Sequence, residues 1–298
     1  MLEKAGLLFP GQGTQFSGMG RELYENDPDC ASVMDQACEI LGHDIKQTIF
    51  YGSDDELRQT ETAQLAMFIV SMMYYRRLMP DSDIDIVAYA GHSLGEYSAL
   101  CAAKVLNFDA ALRLVEYRGR LMASCCSDEH GMMAVLGYRE EEIRDMLSSD
   151  VRYEDIEVAN INSKTQIVLA GIKSDLKCFD KGSVTSETAK VKYLNVAGAF
   201  HTRYMKEANE KLGIMIDGLD FSDPDAFFIP NQTGVPSKDG KEIKAALKKQ
   251  MISAVRWYAS IISIKDLGID VFYEVGPGNT LKKINSTILF KPKCKSID

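Results

Sequence analysis

One serine of this sequence is placed where an enzyme would hold a nucleophile. Residues 91–95, within YAGHSLGEYSAL, read GHSLG and place Ser93 at the centre of the pattern G-x-S-x-G. The apolar run before the pattern predicts a buried strand, and the small residues after it predict a helix. A strand, a glycine-flanked serine and a helix form a nucleophile elbow, where the helix N-terminus favours developing negative charge. The alternative interpretation is a glycine-rich loop without chemistry.

A nucleophilic serine needs a base, and the chain offers few candidates. Its four histidines are His43, His92, His130 and His201. The first and third are interpreted as solvated loop residues, and the second directly precedes Ser93, so its side chain leaves the turn in another direction. Elimination leaves His201, which follows a predicted strand and the flexible Gly198. The alternative is that His201 is an ordinary loop histidine.

An arginine falls on the apolar face of a predicted helix. In NFDAALRLVEYRGRLMA, from residue 107, the apolar stripe comprises Ala111, Leu114, Val115, Leu121 and Met122. Arg118 lies inside this stripe, whereas Arg113 and Arg120 lie outside it. A buried guanidinium needs a partner. Three alternatives stay open: an ion pair with an Asp or Glu, a side chain that reaches out to solvent, or a bidentate contact with an anionic substrate.

The order of the predicted strands and helices indicates how these residues are positioned, and it changes near residue 130. Before residue 130, apolar runs alternate with helical segments, which is typical of parallel βαβ units. From Gly131 the predicted order is β-α-β-β-α-β, the pattern of a ferredoxin-like unit. The sequence therefore predicts an α/β fold with a large hydrolase-like domain, 1–129 and 199–298, that holds a parallel sheet and the elbow. The inserted ferredoxin-like subdomain is predicted at 130–198.

Composition excludes several classes of protein. The 298 residues carry a formal charge of −9 from 34 basic and 43 acidic side chains, which argues against nucleic acid or an anionic membrane as the main partner. The N-terminus lacks the pattern of an export signal. The longest apolar run, Leu65–Tyr75, is too short to cross a bilayer and predicts a buried helix. We therefore expect a cytoplasmic protein.

The cysteines do not indicate a metal site or a disulfide framework. The seven are Cys30, Cys38, Cys101, Cys125, Cys126, Cys178 and Cys294. Their number is odd, none forms a CxxC pair, and none has a histidine at metal-ligand spacing. Free thiols in a reducing compartment are the expectation, without a bound metal.

Nine segments, in order, resemble the malonyl-CoA:acyl-carrier-protein transacylases of fatty-acid synthesis and the acyltransferase domains of polyketide synthases. They are FPGQGTQFSGMG, TETAQLA, GHSLGEYSAL, LVEYRGRLM, GMMAVLG, VANINSKTQIVLAG, GAFHTRYM, VRW and YEVGPGNTL. The resemblance spans nearly the whole chain. It also implies the inserted ferredoxin-like subdomain.

The resemblance implies roles for individual residues. Ser93 would attack the thioester of malonyl-CoA while His201 takes its proton, and the acyl-serine would pass to the thiol of an acyl carrier protein. Backbone N–H groups of Gln12 and Leu94 would hold the oxyanion. The main-chain carbonyl of Gln250 would orient the histidine, in place of a carboxylate. Arg118 would bind the malonyl carboxylate, and the further substrate-binding positions are His92, Phe200 and Asn162. No cofactor is implied.

The chain departs from the family pattern at two prolines. Leu65 follows the glutamine of TETAQLA, and Ala254 precedes VRW, where the family usually has proline. Both changes are interpreted as structural, and they put in doubt only the backbone near Gln250. Phe200 in GAFH resembles the version associated with malonyl rather than methylmalonyl groups.

Three classes of function stay open. A transacylase of fatty-acid or polyketide synthesis is the first, a hydrolase that edits acyl carrier proteins with the same Ser93 and His201 is the second, and a non-catalytic binding module is the third. Carrier proteins are typically acidic, so a transacylase would need a local basic surface. The candidate surfaces are residues 244–250, Lys282 with Lys283, and 291–295, each of which has the alternative of a solvated lysine face. A monomer is expected.

Overall fold

Two sheets form the framework of the protein in a computed structural model, which describes residues 2–79, 83–290 and 292–297. The strands are β1 (Glu3–Phe9), β2 (Ile84–Gly91), β3 (His130–Leu136), β4 (Ile156–Ser163), β5 (Gln166–Ile172), β6 (Lys190–Tyr193), β7 (Phe227–Ile229), β8 (Val271–Glu274) and β9 (Lys293–Ser296).

The α-helices are α1 (Arg21–Asn26), α2 (Pro28–Leu41), α3 (Lys46–Tyr51), α4 (Asp54–Arg58), α5 (Thr60–Leu78), α6 (Gly95–Ala102), α7 (Phe108–Ser124), α8 (Glu140–Ser148), α9 (Lys173–Ser183), α10 (Lys206–Asp217), α11 (Gly240–Gln250), α12 (Trp257–Asp266) and α13 (Thr280–Ile288). Short 3-10 turns cover Val151–Tyr153 and Arg203–Met205.

The larger sheet is parallel and has the order β7-β2-β1-β8-β9. Its central strand is apolar and buried, with Leu7, Leu8 and Phe9 inaccessible to solvent, because a parallel sheet is covered on both faces. Phe9 at the end of β1 pairs with Gly91 at the end of β2. The turns that follow these two strands therefore lie side by side at the carboxyl edge, where open α/β sheets bind ligands.

The smaller sheet is antiparallel and has the order β4-β5-β3-β6. With α8 after β3 and α9 after β5, the chain runs β-α-β-β-α-β, which confirms the predicted ferredoxin-like unit. Strand β4 also forms backbone hydrogen bonds with Val255, which lies outside the predicted subdomain. The Ile161 N–H donates to the Val255 carbonyl and the Val255 N–H donates to the Ala159 carbonyl, both at 2.9 Å. The division into domains at 130–198 stays a prediction, and its outer limits 1 and 298 lie outside the described residues.

Most predicted elements are present, and one interpretation was wrong. The apolar run Leu65–Tyr75 lies in α5, which is buried along most of its length. His130 is not a solvated loop residue, because it opens β3 and its half-buried ring lies 4.4 Å from the ring of Tyr204. Within the described residues, no helix has the length and apolar character that crossing a membrane requires.

Candidate active site

The turn around Ser93 has the geometry of a nucleophile elbow. Ser93 adopts a left-handed backbone with φ 52°, between the end of β2 and the start of α6. A Cβ on Gly91 would lie 2.0 Å from the carbonyl carbon of Gly95, and a Cβ on Gly95 would lie 2.1 Å from the carbonyl oxygen of Phe9. Only glycine fits at these two positions. This confirms the elbow and rules out the alternative of a loose glycine-rich loop.

His201 stands directly against the serine hydroxyl. Its Nε2 lies 2.7 Å from Ser93 Oγ, and its Nδ1 lies 3.0 Å from the carbonyl oxygen of Gln250. A carbonyl oxygen only accepts, so Nδ1 carries the hydrogen and Nε2 is free to accept a proton from Ser93. The His201 ring therefore connects the predicted nucleophile on one side with the predicted orienting carbonyl on the other, through its two ring nitrogens.

The electrostatics keep this imidazole neutral. Burial, followed by the positive charge of Arg118, lowers the pKa of His201 to about 3. Only 3% of the His201 surface is exposed, so little water can stabilise its protonated form. His201 is therefore unprotonated at physiological pH and able to act as a base.

Two backbone N–H groups are available at the same edge of the sheet. Leu94 immediately precedes α6, and Gln12 lies in the turn after β1. Across the described chain, neither of these N–H groups donates to a protein acceptor. The two turns are pressed together, because a Cβ on Gly11 would lie 2.4 Å from the carbonyl oxygen of His92. Both N–H groups therefore remain available as hydrogen-bond donors at this edge, which is what an oxyanion requires.

Arg118 is buried beside the nucleophile and is held by neutral groups. Its Nη1 donates to Gln64 Oε1 at 2.6 Å, and its Nη2 donates to Gln250 Oε1 at 3.2 Å and to Ser93 Oγ at 3.3 Å. The guanidinium also lies over the ring of Tyr97, 5.3 Å from its centroid. No Asp or Glu among the described residues forms an ion pair with it. The alternatives of a buried ion pair and of a solvated side chain are therefore wrong.

Residues 7–290 match the family model described as the acyl transferase domain. The chain belongs to the acyl transferase family. It is 36% identical to the polyketide biosynthesis malonyl CoA-acyl carrier protein transacylase PksC of Bacillus subtilis, over 92% of this chain and 93% of the relative. It is 35% identical to the malonyl CoA-acyl carrier protein transacylase of the same organism, over 95% of this chain and 91% of the relative.

A solved acyl transferase structure has the same fold. The malonyl CoA-acyl carrier protein transacylase of Coxiella burnetii superposes with a TM-score of 0.92 at 30% identity, over 99% of this chain and 94% of that chain. Some relatives are much longer. The chain is 38% identical to the polyketide biosynthesis protein ThaF of Burkholderia thailandensis over 95% of its own length, but it spans only 24% of ThaF.

The remaining predicted substrate-binding residues of this acyl transferase lie around the elbow. His92 Nε2 lies 2.9 Å from Asn162 Oδ1 on β4, and its ring centroid lies 5.5 Å from that of Trp257. Burial lowers the pKa of His92. His92 is therefore not positioned as a base for Ser93, and it instead bridges the two sheets. Phe200 is buried next to His201.

Three further residues of the acyl transferase site were not predicted. They are Gln64, Glu96 and Asn231, and all three are buried. The Asn231 side chain accepts from the Ser93 N–H at 2.7 Å and donates to the Gly91 carbonyl at 2.6 Å, so it fastens the elbow. Glu96 Oε2 accepts from Gln250 Nε2 at 2.8 Å. The signal for Glu96 was its place one turn after Ser93, and that for Gln64 was its place in TETAQLA.

The departure from the family pattern at Ala254 leaves the histidine contact in place. The Gln250 carbonyl still lies 3.0 Å from His201 Nδ1, and Val255 still pairs with β4. Ala254 itself lines a groove of about 560 Å³ that reaches His201. Ile156 and Val158 of β4 line the same groove, as does Arg256. A long flexible substituent can therefore approach the reacting pair between the two sheets.

Proposed function

We propose that this acyl transferase moves a malonyl group from coenzyme A to the phosphopantetheine thiol of an acyl carrier protein, through a malonyl ester on Ser93. One observation carries the proposal. Ser93 Oγ is in contact both with His201 Nε2, at 2.7 Å, and with Arg118 Nη2, at 3.3 Å. The nucleophilic oxygen is thus in contact both with a base and with a cation that can bind a carboxylate.

The first half-reaction begins with proton transfer. His201 Nε2 takes the hydroxyl proton as Ser93 Oγ attacks the thioester carbonyl of malonyl-CoA. The N–H groups of Leu94 and Gln12 are the donors proposed for the oxyanion of the tetrahedral intermediate. When the intermediate collapses, the C–S bond breaks, the coenzyme A thiolate receives the proton from His201, and the malonyl ester of Ser93 remains.

The second half-reaction is the reverse of the first with another thiol. The phosphopantetheine thiol of the carrier protein enters the groove and gives its proton to His201, and its sulfur attacks the ester carbonyl. Collapse breaks the C–O bond to Ser93 and returns the proton to Oγ. The His201 Nδ1 keeps its hydrogen in both half-reactions, because the Gln250 carbonyl accepts a hydrogen bond from it. Only Nε2 therefore gains and loses a proton.

Arg118 supports malonyl as the acyl group. A buried guanidinium without an ion pair binds a carboxylate strongly, because charge-assisted bonds gain strength away from water. Its position beside Ser93 Oγ fits an acyl group that carries a carboxylate two carbons from the thioester. Phe200 is proposed to limit a branch on that chain, and His92 and Asn162 are proposed to line the acyl site.

A hydrolase with the same Ser93 and His201 is the alternative. Arg118 favours transfer of malonyl, because an editing enzyme for neutral acyl chains has no use for a buried cation beside its nucleophile. Relatives with transacylase names support the same choice. Fatty-acid or polyketide synthesis is the proposed setting, in the cytoplasm and as a monomer, without a nucleic acid or membrane partner.

Labelled malonyl-CoA tests the proposal. We expect stable label on the protein, release of the label to added holo-acyl carrier protein, and no label on a Ser93→Ala variant. Free malonate without transfer would support the hydrolase instead, and absence of both products would leave a binding module. For the acyl group, we expect Arg118→Ala to lose malonyl transfer much more than acetyl transfer, and an equal loss of both would contradict the assignment.

A further inference from the structure

The side chain of Gln250 is held in one orientation by groups on three parts of the chain. Its Nε2 donates to the Ser93 carbonyl at 2.7 Å and to Glu96 Oε2 at 2.8 Å, while its Oε1 accepts from Arg118 Nη2 at 3.2 Å. A flipped amide would turn its NH₂ group toward the guanidinium and its oxygen toward two acceptors. Donor and acceptor chemistry therefore decides this orientation.

Glu96 is the acidic member of this network. It is fully buried at the start of α6, and its second oxygen, Oε1, accepts from the Asn231 N–H at 3.3 Å. Both of its oxygens thus face N–H donors, an arrangement that only the ionised carboxylate satisfies completely. The carboxamide of Gln250 stands between Glu96 and Arg118, and no direct ion pair joins these two residues.

We propose that Glu96 is a positioning residue, which acts through the Gln250 carboxamide to hold the Arg118 guanidinium in the orientation that receives the acyl carboxylate. This inference rests on the proposed malonyl transfer. It assigns Glu96 to substrate selection rather than to the proton transfer between Ser93 and His201, because Glu96 makes no contact with the imidazole. Without it, the Gln250 amide can rotate and Arg118 loses an acceptor that fixes Nη2.

The titration of Glu96 gives the arrangement a pH dependence. Burial raises the pKa of Glu96 to about 7, opposed by the hydrogen bonds from Gln250 and Asn231 and by the charge of Arg118. Those neighbours come from α11, from the loop after β7 and from α7, and Arg118 is the charged one. As the pH falls through this value, Glu96 gains a proton, and its O–H then opposes one of the two N–H donors.

The test compares acylation of Ser93 by malonyl-CoA and by acetyl-CoA in single turnovers, on the full chain. In Glu96→Gln one oxygen becomes an NH₂ group that faces an N–H donor. We expect this variant to lower the malonyl rate constant at least tenfold more than the acetyl rate constant. Ser98→Ala is the matched control, because Ser98 is buried on the same helix and its hydroxyl has no partner within the described residues. It should leave the malonyl-to-acetyl ratio as it is.

Three outcomes decide the inference. A folded Glu96→Gln protein whose ratio stays within twofold of wild type overturns it, since an equal loss with both substrates indicates a purely structural role. If the variant does not fold, the wild-type ratio decides: a fall of about tenfold as the pH drops from 8 to 5.5 supports the inference, and a constant ratio overturns it. Failure of the wild type to form malonyl-Ser93 would overturn the proposed function, and the inference with it, before any variant is compared.

Discussion

Ser93 and His201 are 108 residues apart in the chain, yet their Oγ and Nε2 atoms lie 2.7 Å apart and both residues have a left-handed backbone. Such conformations cost about 1 to 3 kcal/mol for a residue with a side chain and persist where the surroundings over-determine them. Here the Asn231 side chain holds the backbone that leads into Ser93, through the Gly91 carbonyl and the Ser93 N–H, and the Gln250 carbonyl holds the His201 ring. The unfavourable backbone conformations therefore fall on the two residues proposed to exchange the proton.

Replacing the base should slow acylation without changing the fold. We expect His201→Asn to lower the rate constant for malonyl transfer to Ser93 by about 10² to 10⁴, the usual contribution of a positioned base. Asparagine is chosen because it tolerates the left-handed backbone with φ 62° that His201 adopts. Rapid quenching with labelled malonyl-CoA measures the rate constant. His43→Asn, in an exposed loop, serves as the control, and a His201→Asn rate within threefold of wild type would contradict the assignment.

The sequence predicted those parts of the site that depend on local pattern or on a small choice of residues. The elbow follows from glycine spacing between a strand and a helix, and His201 was found because the chain has few histidines. Asn231 lies 138 residues from Ser93, and no local pattern marks its contact with the elbow. Glu96 occupies the first turn of a helix, where an acidic residue is ordinarily explained by the helix dipole alone.

The residues that a buried side chain contacts were harder to predict from the sequence than the burial itself. The apolar stripe of α7 correctly placed Arg118 in the interior, but its acceptors Gln64 and Gln250 come from α5 and α11, which only the tertiary fold brings together. His130 was misinterpreted for the same reason. The acidic and glycine-containing segment around it favours a loop, whereas strand pairing with Ile172 and the ring of Tyr204 decide its environment.

The imidazole of His201 should resist protonation. Because burial and Arg118 lower its pKa to about 3, we expect its ring resonances in an NMR titration to stay constant from pH 8 to pH 5. Free histidine in the same sample should titrate near 6.5. Arg118→Ala removes the second cause of the shift, so it should raise the pKa of His201. Protonation of wild-type His201 near pH 6.5 would contradict the structure-based expectation.

A methyl group cannot be added at the elbow. In Gly91→Ala the new Cβ would lie 2.0 Å from a backbone carbon of Gly95, and the backbone there cannot yield without opening the turn. We expect the free energy of unfolding to fall by about 4 kcal/mol or more, in the range reserved for severe substitutions. Gly268→Ala is the control, because it meets only the strain of a positive φ, with no atom within 4 Å, and should cost about 1 kcal/mol. Urea unfolding measures both, and equal losses would argue against a tightly closed elbow.

Carrier-protein docking should depend on Lys249 more than on Lys248. Lys248 Nζ is engaged with Asp217 at 2.6 and 2.7 Å, whereas Lys249 is exposed and has no ion pair within the part of the chain that the structure describes. Lys249 also lines a hollow of about 330 Å³ with Gln232 and Val235, and Gln232 lines the groove that reaches His201 as well. An acidic carrier protein that binds where the hollow adjoins the groove would therefore contact the unpaired cation of Lys249.

We expect Lys249→Glu to raise the KM for holo-acyl carrier protein at least fivefold at low salt, with a smaller effect at high salt because ions screen exposed charges. The rate of Ser93 acylation by malonyl-CoA should stay at the wild-type value, since that half-reaction does not involve the carrier. Lys283→Glu, on the exposed side of α13, tests the second predicted basic cluster in the same assay. An increase in KM with Lys283→Glu alone would move the docking surface to α13, because charge reversal acts only where the carrier comes within a Debye length of the altered side chain.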